Sequence, residues 1–158
     1  MSEPTIAIEP TFDAAMLAAL HGATHAPAWD TAAFARLLAQ PGVRALIARG
    51  EKGDVGLALV RAVADEAEIL TIGVIAAARR HGVGRALLRA ALDELADASV
   101  AHCHLEVGDD NAAAIALYRR CGVAVTGRRT DYYARPDGRA DALIMSRAIA
   151  APAGTEGH

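Results

Sequence analysis

Residues 78–92 read ARRHGVGRALLRAAL, and their placement decides the fold. An apolar run, EILTIGVI (68–75), ends just before them, and a leucine–alanine pattern of helical period follows. Leu87, Ala91 and Leu95 fall on one stripe, which Leu88 and Leu92 widen, so a helix is expected from about Gly84 to Ala98. AHCHLEV (101–107) then reads as a strand. Strand, helix and strand in that order make a crossover, which leaves the two strands parallel.

Working outward, the upstream segments alternate with turn signals. TIAIE (5–9) reads as a short strand, and TFDAAMLAALHG (11–22) as a helix ending near Gly22. A second helix opens at Asp30, a good N-cap, and stops at Pro41-Gly42. VRALIAR (43–49) and VGLALVRAV (55–63), joined by GEKGD, form a hairpin that the 68–75 strand extends into a meander. Downstream, DDNAAAIALYRRCG (109–122) is a helix with an Asp or Asn N-cap and Gly122 at C′. Residues 123–135, a PDG turn and residues 139–149 close the chain as an antiparallel hairpin. The expected class is α/β (α+β): a mixed, mostly antiparallel sheet of about seven strands flanked by about four helices. No repeat or linker divides the chain, so residues 1–149 are expected to be one domain, followed by a flexible tail at 150–158.

Composition narrows the function. The net charge of −3 and scattered arginines give no general attraction to nucleic acid or anionic membranes. No apolar run has the length of a membrane span, and MSEPTIAIEP lacks the pattern of a signal peptide, so a cytoplasmic location is expected. Cys103 and Cys121 make no disulfide framework and read as buried free thiols.

The sharper signals cluster at the crossover. Bare N–H groups at a helix start attract anions, and glycine removes the Cβ that would hold a phosphate away. Arg79, Arg80 and Arg85 add positive charge around Gly82 and Gly84. The run lacks the Gly-Lys-Ser/Thr ending of a Walker loop, and Leu87 stands where the dinucleotide fingerprint needs its third glycine. Taken alone, the turn is equally a phosphate site or a structural bend. Beyond it, Glu106 lies near the end of the following strand, and Asn111 and Tyr118 lie on one face of the next helix. Each also has a plain structural reading: Glu106 as an ion-pair partner, Asn111 as an N-cap, Tyr118 as core.

These motifs resemble a known family. Arg79-x-x-Gly82-x-Gly84 is similar to the Q/R-x-x-G-x-G/A acetyl-CoA signature of the GNAT N-acetyltransferases. LEVGDDNAAAIALYRRCGV and DYYARPDGRADALIM resemble the bacterial ribosomal-protein-alanine N-acetyltransferases of the RimI type, and the similarity extends through most of residues 5–149. The resemblance implies that the backbone of Ile72, Gly73 and Val74 binds the acetyl and pantetheine part of acetyl-CoA. It implies that the turn Arg80, His81, Gly82, Val83, Gly84, Arg85 takes the pyrophosphate, with Arg79 opening the signature and Asn111 binding through its side chain. Glu106 would be the general base and Tyr118 the general acid. The acceptor would be a protein N-terminal α-amine, that of a ribosomal protein, and the enzyme would act as a monomer or homodimer. The chain departs from the pattern at Ile75-Ala76, at His81, and at Cys121 and Val123, which bear on the shape of the acceptor pocket.

The chemistry suits those groups. An amine attacks a thioester only when neutral, and an α-amine, with a pKa near 8, is neutralised more easily than lysine near 10.4. A carboxylate takes the proton, a backbone N–H on the 68–75 strand holds the developing oxyanion, and a phenol supports the leaving thiolate. Direct transfer needs no cysteine nucleophile. His102, His104 and Glu106 alternate along one strand and offer a rival metal set, but alternate residues stand about 7 Å apart, long for three ligands of one ion; no metal is expected. Tyr132, Tyr133, Asp137 and Asp141 on the closing hairpin are either an acceptor-facing rim or ordinary turn residues. Two other functions stay open: acetylation of a small amine or antibiotic, and a non-catalytic CoA-binding module.

Overall fold

The architecture is seen in a computed structural model, which describes residues 6–149. Its elements in chain order are β1 (Ala7–Pro10), α1 (Ala14–Thr24), α2 (Thr31–Leu38), β2 (Val43–Gly50), β3 (Gly53–Val63), β4 (Glu66–Val74), a 3₁₀ turn (Ala76–Ala78), α3 (Val83–Asp97), β5 (His102–Gly108), α4 (Ala112–Arg120), β6 (Ala124–Arg135) and β7 (Gly138–Ala148). One seven-stranded sheet runs β1-β2-β3-β4-β5-β7-β6. All neighbours are antiparallel except β4 and β5, the pair joined by the α3 crossover. The expected sheet and helices are therefore present, and β7 inserts between β5 and β6. Thr5 of the expected first strand and the tail at 150–158 lie outside the described residues.

Boundaries moved where local chemistry outweighs pattern. Helix α1 passes Gly22 and ends at Thr24, because the His25 N–H still donates to the His21 carbonyl and the Thr24 hydroxyl to the carbonyls of Leu20 and His21. Helix α3 starts at Val83 rather than Gly84, with Gly82 as its N-cap. Asn111 rather than an aspartate caps α4, accepting from the Ala114 N–H at 3.2 Å. Asp30 caps α2 as expected.

Two apolar cores sandwich the sheet. On one face, Leu87, Leu88, Ala91, Leu92 and Leu95 of α3 and Tyr118 of α4 pack on Ala58, Val60, Ala67, Ile69, Cys103, Leu105, Val107, Leu143 and Met145. On the other, Leu17, Leu20 and Phe34 of α1 and α2 cover Ala45, Ile47, Leu57 and Leu59. Period-two alternation assigns each strand residue to one face. Strand β4 breaks that alternation: Thr71 pairs with Leu59 and Ile69 with Val60, so Leu70 is an extra, bulged residue. Ile69 therefore faces α3, Leu70 faces α1 and α2, and Ile72 and Val74 face α3 again.

Past the bulge, β4 and β5 part. Their pairing covers only Glu66–His102, Ala67–Cys103 and Glu68–His104, although both strands run on. The split opens at the carboxyl ends of the parallel pair, where open α/β sheets hold ligands.

Candidate active site

Backbone polarity in the split follows from one hydrogen bond. The Ile75 N–H donates to Val55 on β3 at 2.9 Å. Antiparallel alternation then turns the Gly73 N–H toward β3 as well, and turns the N–H and C=O of Ile72 and Val74 into the split. The Val74 carbonyl there accepts from Arg79 Nε at 3.1 Å. The split thus presents unpaired strand donors.

Next to it lies a cleft of about 760 Å³ lined by Val74, Arg79, Arg80, Gly82, Val83, Gly84, Arg85, Ala113, Leu117 and Arg120, among others. The start of α3 has no side-chain cap among the described residues, so its first N–H groups are open to a ligand. The two glycines serve different ends. Gly82 adopts a left-handed conformation (φ 78°), and a Cβ there would project into open space; its role is to turn the chain. At Gly84 a Cβ would stand 3.1 Å from Leu117 Cδ2, so this glycine lets α4 close on α3.

A second cavity of about 410 Å³ continues from the first and shares Val74, Arg79, Gly84, Ala113 and Leu117 with it. It is also lined by Ile72, Gly73, Asn111, Thr24 and His25. Leu117 belongs to the α3 side of the sheet, whereas Thr24 and His25 lie against Gly73 on the α1 side. The cavity therefore passes through the split from one face to the other. Gly73 has to be glycine for this contact, because a Cβ would stand 2.6 Å from Thr24 Oγ1.

Of the residues read from sequence, Ile72, Gly73, Val74, Arg79, Arg80, Gly82, Val83, Gly84, Arg85 and Asn111 line these cavities, and His81 is exposed outside them. Asn111 uses Oδ1 as a cap, which leaves its Nδ2 donors for a ligand. Glu106 and Tyr118 do not line either cavity. Glu106 pairs with Ile144 on the strand face opposite Cys103 and Leu105, and its Oε1 lies 3.1 Å from Arg129 Nε. Tyr118 is buried in the α3-side core, and burial, reinforced by the nearby Cys103, pushes its phenol up to about 12. The two candidates thus lie on opposite faces of the sheet.

The histidine–carboxylate strand does not form a metal set. Among the described residues, no group of three or more His, Cys, Asp or Glu is placed to hold an ion. Cys103 and Cys121 are buried and free, and burial raises the Cys103 thiol to about 11, far from a reactive thiolate.

Sequence reading missed Thr24, His25 and Arg120. Arg120 was within reach, since Ala113, Ala116, Leu117 and Arg120 form one helical stripe. His25 carried no local signal, because only the folding of α1 onto Gly73 brings it to the split.

The acetyltransferase (GNAT) family model matches residues 13–123. The chain belongs to this family. It is 43% identical over 123 residues to the N-alpha-acetyltransferase RimI of Mycobacterium tuberculosis, covering 75% of each chain. It is 40% identical over 92 residues to the [ribosomal protein bS18]-alanine N-acetyltransferase of Escherichia coli K12, a match that spans 58% of this chain and 62% of that protein. The crystal structure of the E. coli ribosomal-protein-S18-alanine N-acetyltransferase superposes with a TM-score of 0.83 at 34% identity, covering 98% of this chain and 99% of that one. GNAT acetyltransferases use acetyl-CoA as co-substrate. The open N–H groups of α3, the space over Gly82 and the surrounding arginines fit its phosphates. No helix among the described residues is long and apolar enough to cross a membrane.

Proposed function

We propose that the chain acetylates a protein N-terminal α-amine, that of a ribosomal protein, by direct attack on acetyl-CoA in a ternary complex in the cytoplasm. The observation that carries this reading is the cavity through the β4–β5 split, which lets two substrates meet from opposite faces. On the α3 side, the first turn of α3 with Arg80, Arg85 and Arg120 holds phosphates, and Asn111 Nδ2 donates to the co-substrate. The inward N–H groups of Ile72 and Val74 stabilise charge that develops on the acetyl oxygen.

On the α1 side the amine meets Glu106. Its Oε1 lies 3.1 Å from Arg129 Nε, and the carboxylate takes the proton directly or through water. Tyr118 completes the site from the other face. A phenol near 12 keeps its proton, and giving it to a thiolate of ordinary pKa near 8.5 is uphill by a factor of roughly three thousand. Tyr118 therefore stabilises the departing sulfur as a hydrogen-bond donor, and water supplies the proton.

The β6–β7 hairpin forms the acceptor rim. The Tyr133 phenol is raised first by burial and then by the negative charge of Glu106. Tyr132 is 49% exposed and packs edge-on against Tyr133 at 5.2 Å. The similarity to acetyltransferases named for an N-terminal alanine of a ribosomal protein supports a peptide acceptor.

CoA release measured with a peptide beginning in alanine, beside a panel of small amines, tests the acceptor. The peptide is expected to be turned over with much the higher kcat/KM; a small amine that outperforms it would replace this reading. Glu106→Gln is expected to lower kcat by about a hundredfold or more, with the affinity for acetyl-CoA retained.

A further inference from the structure

We propose that His25 is a second proton acceptor in the transfer reaction, standing across the split from Glu106 on the face where the amine arrives. The proposal rests on the acetyl transfer just described. His25 and Glu106 lie on the same face by register: Gly73, which His25 touches, pairs with Leu57 of the α1-side core, and Glu106 follows His104, which pairs with Glu68. His25 lines the cavity through the split, whereas Glu106 stands outside its lining.

The ring is held for this task. The Thr24 hydroxyl lies 3.1 Å from the carbonyls of both Leu20 and His21 and spends its only proton there. At 2.7 Å from His25 Nδ1 it therefore accepts from an Nδ1–H. Nε2 is then left with its lone pair, and its one hydrogen-bond partner among the described residues is the Thr71 hydroxyl at a long 3.3 Å. His21 stacks on the ring at 4.2 Å and 2°, and Trp29 stacks on His21 at 4.6 Å, so the imidazole plane is fixed. Burial, and then the charge of Arg79, lower the His25 pKa, so the ring is neutral near pH 7. His21 is neutral too, lowered to about 4 by burial and by His25.

An ammonium that becomes an amide sheds two protons. The first goes to Glu106, directly or through water, and frees the amine. The C–N bond then forms, and the nitrogen, now carrying positive charge beside the former carbonyl carbon, becomes far more acidic than a free ammonium. A base weaker than the amine itself is then sufficient, and His25 Nε2 takes this second proton in place of its contact with Thr71. The C–S bond breaks, the thiolate leaves under Tyr118 and takes a proton from water, and His25 returns its proton to solvent.

His25→Ala and His25→Gln, assayed for CoA release with the alanine peptide, test the role. Both are expected to lose about a hundredfold in kcat, with KM for acetyl-CoA and Tm little changed. Added imidazole should restore several-fold activity to His25→Ala and none to His25→Gln, whose amide accepts a hydrogen bond but no proton. Full kcat in either variant overturns the proposal. So does a loss that imidazole leaves untouched in His25→Ala, because the ring would then be structural. If the wild type ignores the peptide but acetylates a simple amine, the acceptor reading fails and the His25 variants are judged on that amine. If it acetylates no amine while binding acetyl-CoA, both readings fall.

Discussion

The arginines of this protein divide into two populations. Around the β6–β7 hairpin nearly every guanidinium is occupied: Arg128 bridges Asp109 at 3.1 Å and Asp141 at 2.6 Å, Arg135 grips Asp110, Arg129 holds Glu106, and Arg139 donates to the Asp131 carbonyl. Around the cleft at the start of α3, Arg80, Arg85 and Arg120 have no carboxylate within ion-pair distance among the described residues. In the first group carboxylates neutralise Arg128, Arg129 and Arg135, and the group shapes a rim. The second converges with uncapped helix N–H groups, and its charge is free for an external anion. Equal residue types thus do opposite work according to whether the fold supplies their counter-charge.

That contrast breaks most sharply at Gly84. An aspartate there sets a carboxylate where the phosphates belong, and acetyl-CoA affinity by calorimetry is expected to fall by more than about a hundredfold. The added Cβ also stands 3.1 Å from Leu117 Cδ2, so Leu117 must shift and Tm should fall as well; the affinity is therefore measured well below the variant's own Tm. Unchanged affinity would mean that the cleft is not the phosphate site. Arg120→Ala removes one free cation and should weaken acetyl-CoA about tenfold, with a shallower dependence on salt; the same loss at high and low ionic strength would place Arg120 outside the contact. Arg128→Ala sits on the occupied side. It should leave acetyl-CoA affinity unchanged and lower Tm by a few degrees at most, because exposed ion pairs contribute little.

The occupied side also has a pH signature. Asp141 is held below the ordinary carboxylate range first by the Asp131 N–H and then by Arg128. Unfolding returns that carboxyl to about 3.9. Its stabilisation is therefore complete above that value and is lost as pH falls through the lower folded-state pKa. Thermal scans from pH 6 to pH 3 should show Arg128→Ala converging on the wild type at the acid end. A gap that widens toward acid would contradict the assignment.

Much of this was readable locally. The glycine turn, the crossover, the Asp30 cap and the α4 face all follow from short-range pattern, because period and capping act within one element. What the pattern lacks is how elements meet. Asn111 and Tyr118 share a stripe of α4, yet one caps at the cleft and the other is sunk in the core, a difference of depth rather than of phase. Nothing in EILTIGVI marks Leu70 as the bulged residue, since each side chain in the run suits either face. His25 reads as a loop residue until α1 is laid against Gly73. Long-range packing decided each of these.

The bulge at Leu70 acts as a frame shift within a single strand. Before it, odd-numbered residues of β4 face α3; after it, even-numbered ones do. Pairing Leu70 as an ordinary ladder residue opposite Leu59, with no residue lost, would iron out the bulge and reverse every position beyond it. Ile72 and Val74 would then turn toward α1, the glycine at 73 would lose its contact with Thr24 and His25, and the donors now pointing into the split would be spent on β3. Deleting Leu70, by contrast, would leave each of these side chains on its present face. The strand's composition would be the same in the straightened ladder, but its parity, on which both substrates depend, would be inverted.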